Sequence, residues 1–343
     1  MLLLLTGIVT TVNGQYRKDT VKNQPQKAHS NPIQTFDDKI TTRVFIGDRI
    51  NSLRINGSGE RGYFRYSPNT NWNMGAGVTY RAITLNLGLG LFGRDADKGT
   101  TRFFDLQSNI YTRNWTIDAI WQTYKGFYIR EKGIVPGTAY YTNPDLRVTV
   151  VGGGIWRIFN GENFSYRAAM TQNEWQKKSA GSVLAGFTAY YGSVNAAGLL
   201  IPEGMPSTIP QNCVTGIHFF KAGPGVSYAY TYVYDEHFFA TGGLATTLEV
   251  GTAREFTDTA TLDKFNIAPN ATFRLAAGYN SEKWNIQLAL VNSSVAIHGQ
   301  SEALSYRITS GNFRLTLARR FTPNPKTKEL LKPVDDKLNE MEQ

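Results

Sequence analysis

The 343 residues combine abundant aromatics (18 Tyr, 19 Phe, 6 Trp) and 33 Gly with only 18% charged residues and a net charge of +9. A mean hydropathy of -0.31, with no internal run near the roughly 20 apolar residues of a membrane helix, argues against both a helical membrane protein and a disordered chain. The basic residues are scattered singly, which argues against nucleic acid and fits contact with lipopolysaccharide phosphates or an anion-favouring lumen, and the single Cys213 excludes an internal disulfide framework.

The chain begins with a short apolar run, Leu2 to Val12, that stops at Asn13-Gly14-Gln15. A run of this kind resembles the apolar part of a secretory signal, so residues 1–14 are expected to be a signal peptide and Gln15 the first mature residue. Residues 15–40 are polar, carry Pro25 and Pro32, and lack periodicity. They read as a flexible leader on the periplasmic side.

From about residue 41 to 321 the pattern is strict alternation. Met74, Ala76, Val78 and Tyr80 alternate with Gly75, Gly77, Thr79 and Arg81, and Ile83 to Leu91 alternate with Thr84, Asn86, Gly88 and Gly90. The same holds for Trp115 to Gln122, Phe238 to Val250 and Trp284 to Leu290. Soluble strands average about 5–6 residues. These reach the roughly ten that a tilted strand needs to cross a bilayer, so the expected fold is an all-β, antiparallel, up-and-down transmembrane barrel.

Tight connections are expected at Arg81-Ala82, Arg113-Asn114, Asn160-Gly161-Glu162, Asp235-Glu236 and Asn280 to Lys283. Longer polar linkers are expected at Gly57–Asn73, Gly93–Thr100, Arg130–Asp145, Gln172–Ser179 and Thr252–Phe265. Short periplasmic turns alternating with long external loops are the pattern of outer-membrane barrels. If all tight turns share one side, an even number of strands separates them. Strands at 163–171, 181–192 and 214–232 then require a fourth near Ala197 to Pro202, giving 14 strands with both termini in the periplasm. Without that fourth strand the count becomes 12.

The last alternating segment places Phe313, Leu315, Leu317 and Phe321 on one side and Arg314, Thr316, Ala318 and Arg320 on the other. An apolar side ending in a terminal aromatic is the expected signal for the barrel assembly machinery. Residues 322–343 form a polar tail, in which Pro333 is expected to confine any helix to the last ten residues. The tail suits either a solvated segment or a docking peptide.

Several phrases resemble a Bacteroidota outer-membrane family known as domain of unknown function number 4421. They are Arg65-Tyr66-Ser67-Pro68-Asn69-Thr70, Phe164-Ser165-Tyr166-Arg167-Ala168-Ala169, Glu174 to Ser182, Gly223 to Tyr230, Gly278-Tyr279-Asn280 and the closing strand. The resemblance implies a Gram-negative outer-membrane barrel and supplies no catalytic residues.

On the barrel assignment, Arg157, Arg167, Lys221, Arg274 and Arg314 are expected in the lumen with Asp105, Asp118 and Glu249. They form either a salt-bridge network that stiffens the barrel or a cation-lined passage for anions. Trp175, Lys177 and Lys178 lie on a segment that either folds inward as a constriction, holds a partner, or stays solvated with Trp175 at the interface. Four histidines, His29, His218, His237 and His298, make no Ser/His/acid or metal-ligand pattern. No enzyme, cofactor or metal is therefore expected. The reading is an accessory subunit meeting other outer-membrane or periplasmic proteins, or else a passive porin-like pore for small anionic solutes.

Overall fold

The computed structural model describes residues 31–56, 62–70, 72–80, 83–133, 139–202, 214–299 and 305–342. The expected signal peptide, most of the expected leader, His29 and Cys213 lie outside these residues. Two compact units emerge, one containing Pro32–Phe321 and one containing the C-terminal residues from Thr322.

The large unit is all-β. In chain order its strands are β1 (Ile33–Thr35), β2 (Ile40–Arg49), β3 (Ser52–Asn56), β4 (Tyr63–Ser67), β5 (Trp72–Tyr80), β6 (Ile83–Phe92), β7 (Arg102–Tyr111) and β8 (Trp115–Ile129). There follow β9 (Thr142–Ile158), β10 (Glu174–Gln176), β11 (Ala180–Asn195), β12 (Val214–Tyr234), β13 (Phe238–Thr257), β14 (Thr261–Asn280), β15 (Trp284–His298) and β16 (Ser305–Phe321). Fourteen of them make one antiparallel sheet, and β1 pairs separately with β10. Ten close into a ring running β16-β15-β14-β13-β12-β11-β9-β8-β4-β3 and back to β16. Closure pairs both edges of each ring strand, which a bilayer demands because it offers no water to bare backbone.

The alternation in the sequence becomes an inside and an outside. Leu87, Ile117, Leu244, Leu288, Leu315 and Leu317 stand exposed on the outer wall, with Leu87 as much as 82% accessible. On β16 the intervening Thr316, Ala318 and Arg320 are buried inside. An outer surface this apolar is stable only against hydrocarbon. At one end, here the turn end, Trp115, Phe159, Tyr234, Phe238, Trp284 and Phe321 surround the connections, as an interfacial girdle does. The hairpin between β12 and β13 turns on Asp235 and Glu236, both with positive φ (49° and 57°), the conformation that tight hairpins need.

Fourteen segments are reached differently from the sequence expectation. Residues 163–171 are not a strand: Arg167–Thr171 form a π-helical turn. Phe164, Ser165 and Tyr166 are buried in succession, so both sides of this stretch are enclosed by protein rather than one by lipid. No strand occupies 197–202 either, where Leu200 and Ile201 dive into the barrel. The extra segments come from β2–β3 and β4–β5, each a strand interrupted part way along. The expected linker 252–265 is mostly strand, since β13 and β14 extend to a turn at 258–260. Gln172–Ser179, expected among the long loops, lies at the turn end.

In the second unit, α1 (Pro325–Glu342) runs through Pro333 rather than starting after it. Asn324 caps it, its side chain accepting from the Thr327 amide at 2.8 Å, and Pro325 sits in the first turn where a missing N–H costs nothing.

One part of the wall lacks a continuous ladder. β4 meets β8 only through Tyr66↔Ile129 and Ser67↔Tyr128. Beyond Ser67 the chain turns away, and Asn69 ties the crossing to the β6–β7 connection by donating to Asp95 O (2.7 Å) and Gly99 O (2.6 Å). Thr101 in turn donates to Gly126 O at 2.6 Å. Gly126 has φ +89°, and a Cβ there would lie 2.2 Å from Thr100 O, so only glycine fits. Toward the turn end, β6 pairs with β5 and β7 pairs with β8, and among the described residues no ladder joins β6 to β7.

Candidate functional site

The interior is filled in three layers. At the turn end, residues 163–178 fold into the barrel and pair with β1, making a plug. Its charge centre is Arg167, which bridges Asp37 (3.0 Å) and Glu174 (2.9 Å). Ser165 donates to Glu174 and accepts from the Ala168 amide at 3.0 Å. Burial pushes the Glu174 carboxyl above the usual carboxylate range, and Arg167 only partly offsets it. Gln172, in the left-handed region at φ 56°, turns the chain from the helical turn into β10.

The wall holds this plug through its backbone. Arg320 donates to Gln172 O (2.6 Å), Asn280 Oδ1 (3.0 Å) and Ser281 O. Arg43 donates to Thr171 O at 3.0 Å, Asn280 to Glu174 O at 2.9 Å, and Gln287 to Ala169 O at 2.9 Å. Four wall side chains thus satisfy plug carbonyls that no water could reach cheaply. Trp175 is 7% exposed, donates to Glu236 O at 2.7 Å, and stacks on His237 with centroids 5.0 Å apart. His237 continues the stack onto Tyr279 at 5.2 Å.

The middle layer is polar and charge-paired. Asp118 pairs with Arg274 and accepts from Tyr111 at 3.0 Å. Asp105 bridges Arg49 at 3.0 Å and accepts from Tyr124 at 2.6 Å. Glu249, fully buried, accepts from Thr188 (2.8 Å), Thr247 (3.3 Å) and Asn270. Lys221, also fully buried, donates to Ala296 O. Beside Glu249 lies a cavity of about 10 Å³, room for one water. At the loop end, the third layer is an apolar core built from Leu53, Ile55, Phe64, Phe127, Leu200, Ile217, Phe219 and Ile297 among others. Tyr66 donates to Leu200 O at 3.1 Å, holding the in-turned loop.

The residues singled out from sequence therefore separate. Lys221, Arg274, Arg314, Asp105, Asp118 and Glu249 line the interior. Arg167 is interior too, but on the plug and not on a wall strand. Arg157 is the correction: it faces outward, its guanidinium 5.2 Å from the Trp115 ring centroid. The alternation near Trp156 puts the large apolar indole inside, the reverse of the side expected, because the plug supplies an apolar surface for it. Lys177 stacks over Trp175 at 4.3 Å, while Lys178 is exposed. Phe313, Leu315, Leu317 and Phe321 share the outer side of β16. The plug-holding residues Arg43, Asn280, Gln287 and Arg320 carried only one sequence signal, an inward position on an alternating strand. Among the described residues no cluster of His, Cys, Asp and Glu is arranged to hold a metal.

Solved structures similar to this chain are barrels, all at low identity. The Escherichia coli outer membrane protease OmpT is 11% identical, with 84% of this chain and 98% of that chain covered at a TM-score of 0.39. The Pseudomonas putida toluene transporter TodX is 8% identical, with coverage of 84% and 92% and a TM-score of 0.30. OprG of Pseudomonas aeruginosa is 8% identical, with coverage of 83% and 96% and a TM-score of 0.20. No curated protein matches the sequence. The sequence matches the family described as a domain of unknown function, DUF4421, over residues 27–321, and the chain belongs to that family.

Proposed function

We propose that this chain is an integral outer-membrane barrel whose sealed interior makes it an accessory subunit of an envelope assembly, acting through its ends and not through a channel. On this reading residues 1–14 are removed as a signal, the turn end and both termini face the periplasm, and the tail at 322–343 extends there. The single observation that supports it most is the plug, anchored to the wall at four points by Arg43, Asn280, Gln287 and Arg320. A free pore would need this closure and the apolar loop-end core to open together.

The second reading, a passive pore for small anions, draws support from the interior arginines 43, 49, 314 and 320. Planar-bilayer recordings on the purified full chain separate the two. Silent membranes, together with stoichiometric companions in gently solubilised native membranes, support the subunit. Stable ohmic steps from the protein alone overturn it in favour of the pore.

A further inference from the structure

Four arginines stand side by side on the outer wall toward the loop end. Arg307 on β16 lies directly opposite Arg54 on β3, and Arg54 lies directly opposite Arg65 on β4. The row continues past the end of β8, where the Arg130 amide donates to the Arg65 carbonyl at 2.9 Å. Their chain neighbours Leu53, Ile55, Phe64, Tyr66, Ile129 and Tyr306 are all buried inside, so the period of two turns the four arginines outward. Like charges directly opposite one another on a sheet face are destabilising. No carboxylate offsets them: among the described residues none of the four guanidinium groups has an ion-pair partner. Glu131, next in the chain, accepts instead from the Arg65 amide at 3.0 Å. Arg254, elsewhere on the outer face, is the contrast, its guanidinium held by Asp263 through hydrogen bonds of 2.6 and 3.0 Å.

The row sits at a defined depth. Arg307 shares β16 with Phe321 of the turn-end girdle. About 14 residues, at roughly 3.3 Å each and a tilt of about 35–45°, separate the two by about 35 Å along the barrel axis. A hydrocarbon core is about 30 Å thick, so the arginines stand in the headgroup layer of the opposite leaflet. Ser52 and Thr309, opposite each other on the same face, come next toward the belt, and the exposed Leu315 and Leu317 follow on β16. Arg54 is already held in place, donating to Asn56 Oδ1 at 2.6 Å and lying 3.8 Å from the Tyr63 ring centroid. With neighbouring strands about 4.8 Å apart, the row spans about 14 Å. That is room for two phosphates, and a guanidinium fork grips a phosphate in a bidentate pair.

We propose that Arg307, Arg54, Arg65 and Arg130 form a binding site for a membrane lipid whose head carries two phosphates. The phosphates lie along the row and relieve its self-repulsion, while the acyl chains run down the outer wall over Leu315 and Leu317. The site rests on the wall facing hydrocarbon, and it stands whether the interior is sealed or conducting.

The test titrates the purified full chain in a non-ionic detergent with synthetic hexaacyl lipid A carrying two phosphates, and counts retained lipid by native mass spectrometry. Wild-type protein should bind it saturably. The monophosphorylated form of the same lipid should bind about tenfold more weakly, the loss of one set of charge-assisted bonds. Pyrophosphate at equal concentration should not displace the lipid. Arg54→Gln combined with Arg65→Gln should weaken the diphosphorylated lipid about tenfold or more, while Arg254→Gln, which removes an arginine already paired with Asp263, should leave it unchanged. Absence of saturable binding, equal binding of the two lipids, or an equal loss in Arg254→Gln would each overturn the proposal. Displacement by pyrophosphate as effective as by the lipid would also overturn it, in favour of a site for free anions. If the double variant loses the barrel's heat-modifiable mobility, Arg307→Gln decides alone: binding should fall about threefold or more, and an unchanged affinity sinks the site.

Discussion

Arg320→Met is the perturbation that probes the plug most directly. Arg320 is 4% exposed, spans from the last wall strand to Gln172 O, Asn280 Oδ1 and Ser281 O, and packs over the Phe36 ring at 4.0 Å. Methionine keeps much of the apolar stem and removes every donor. A hydrogen bond to a charged group contributes about 1.5–3 kcal/mol, and a buried acceptor left without a donor keeps its desolvation cost. Of the acceptors only Gln172 O belongs to the plug, so about 2 kcal/mol of plug docking disappears, roughly thirtyfold in the docked-to-released ratio. The assay is thiol labelling of Ala169→Cys, a buried plug position, in a Cys213→Ser background that removes the sole native thiol. Maleimide should react far faster in the Arg320→Met chain while the barrel's urea midpoint moves little. An unchanged labelling rate in a folded barrel would refute the view that the wall holds the plug through its carbonyls.

Further outcomes follow from the same geometry. Arg274→Gln should destabilise the barrel by about 3–5 kcal/mol by stranding Asp118, and adding Asp118→Asn should recover most of the loss in urea unfolding; equal effects of the single and double variants would contradict the pairing. Leu244→Arg, 57% exposed on the outer wall, should cost about 2–4 kcal/mol in lipid vesicles, and no cost would argue that β13 does not face hydrocarbon there. The folded pKa of Glu174 is raised, so the plug is most stable below the unfolded carboxylate value and loses stability as pH climbs through the folded one. The groups that face it are Arg167, Ser165, Asp37 and Arg113. Labelling at position 169 should therefore quicken as pH rises, and Glu174→Gln should flatten that dependence; a profile unchanged by this variant would assign the titration elsewhere.

The alternation in β5, β8, β13, β15 and β16 was sufficient to read an antiparallel barrel, its apolar outer wall and its turn end from the sequence. Side-chain period in a strand is a local property, and it survives whatever the strand pairs with. For the same reason six of the expected interior charges, from Asp105 to Arg314, could be placed from parity alone. Arg157 could not, because near Trp156 the inner side is set by what the plug offers and not by lipid.

Non-local contacts decided the rest. Phe164, Tyr166 and Ala168 alternate like a strand, and only enclosure on both sides by Arg43, Gln287 and Arg320 makes that stretch a plug. Leu200 and Ile201 form no periodic pattern, yet they help close the loop end. The failure of β6 and β7 to pair is equally invisible locally, since each has the residues of an ordinary membrane strand. It arises where β4 reaches across to β8 at Tyr66 and Ser67, a choice of neighbour. Sequence period fixes which side of a strand is greasy; which strands become neighbours, and what fills the space between them, depends on energies summed across the whole ring.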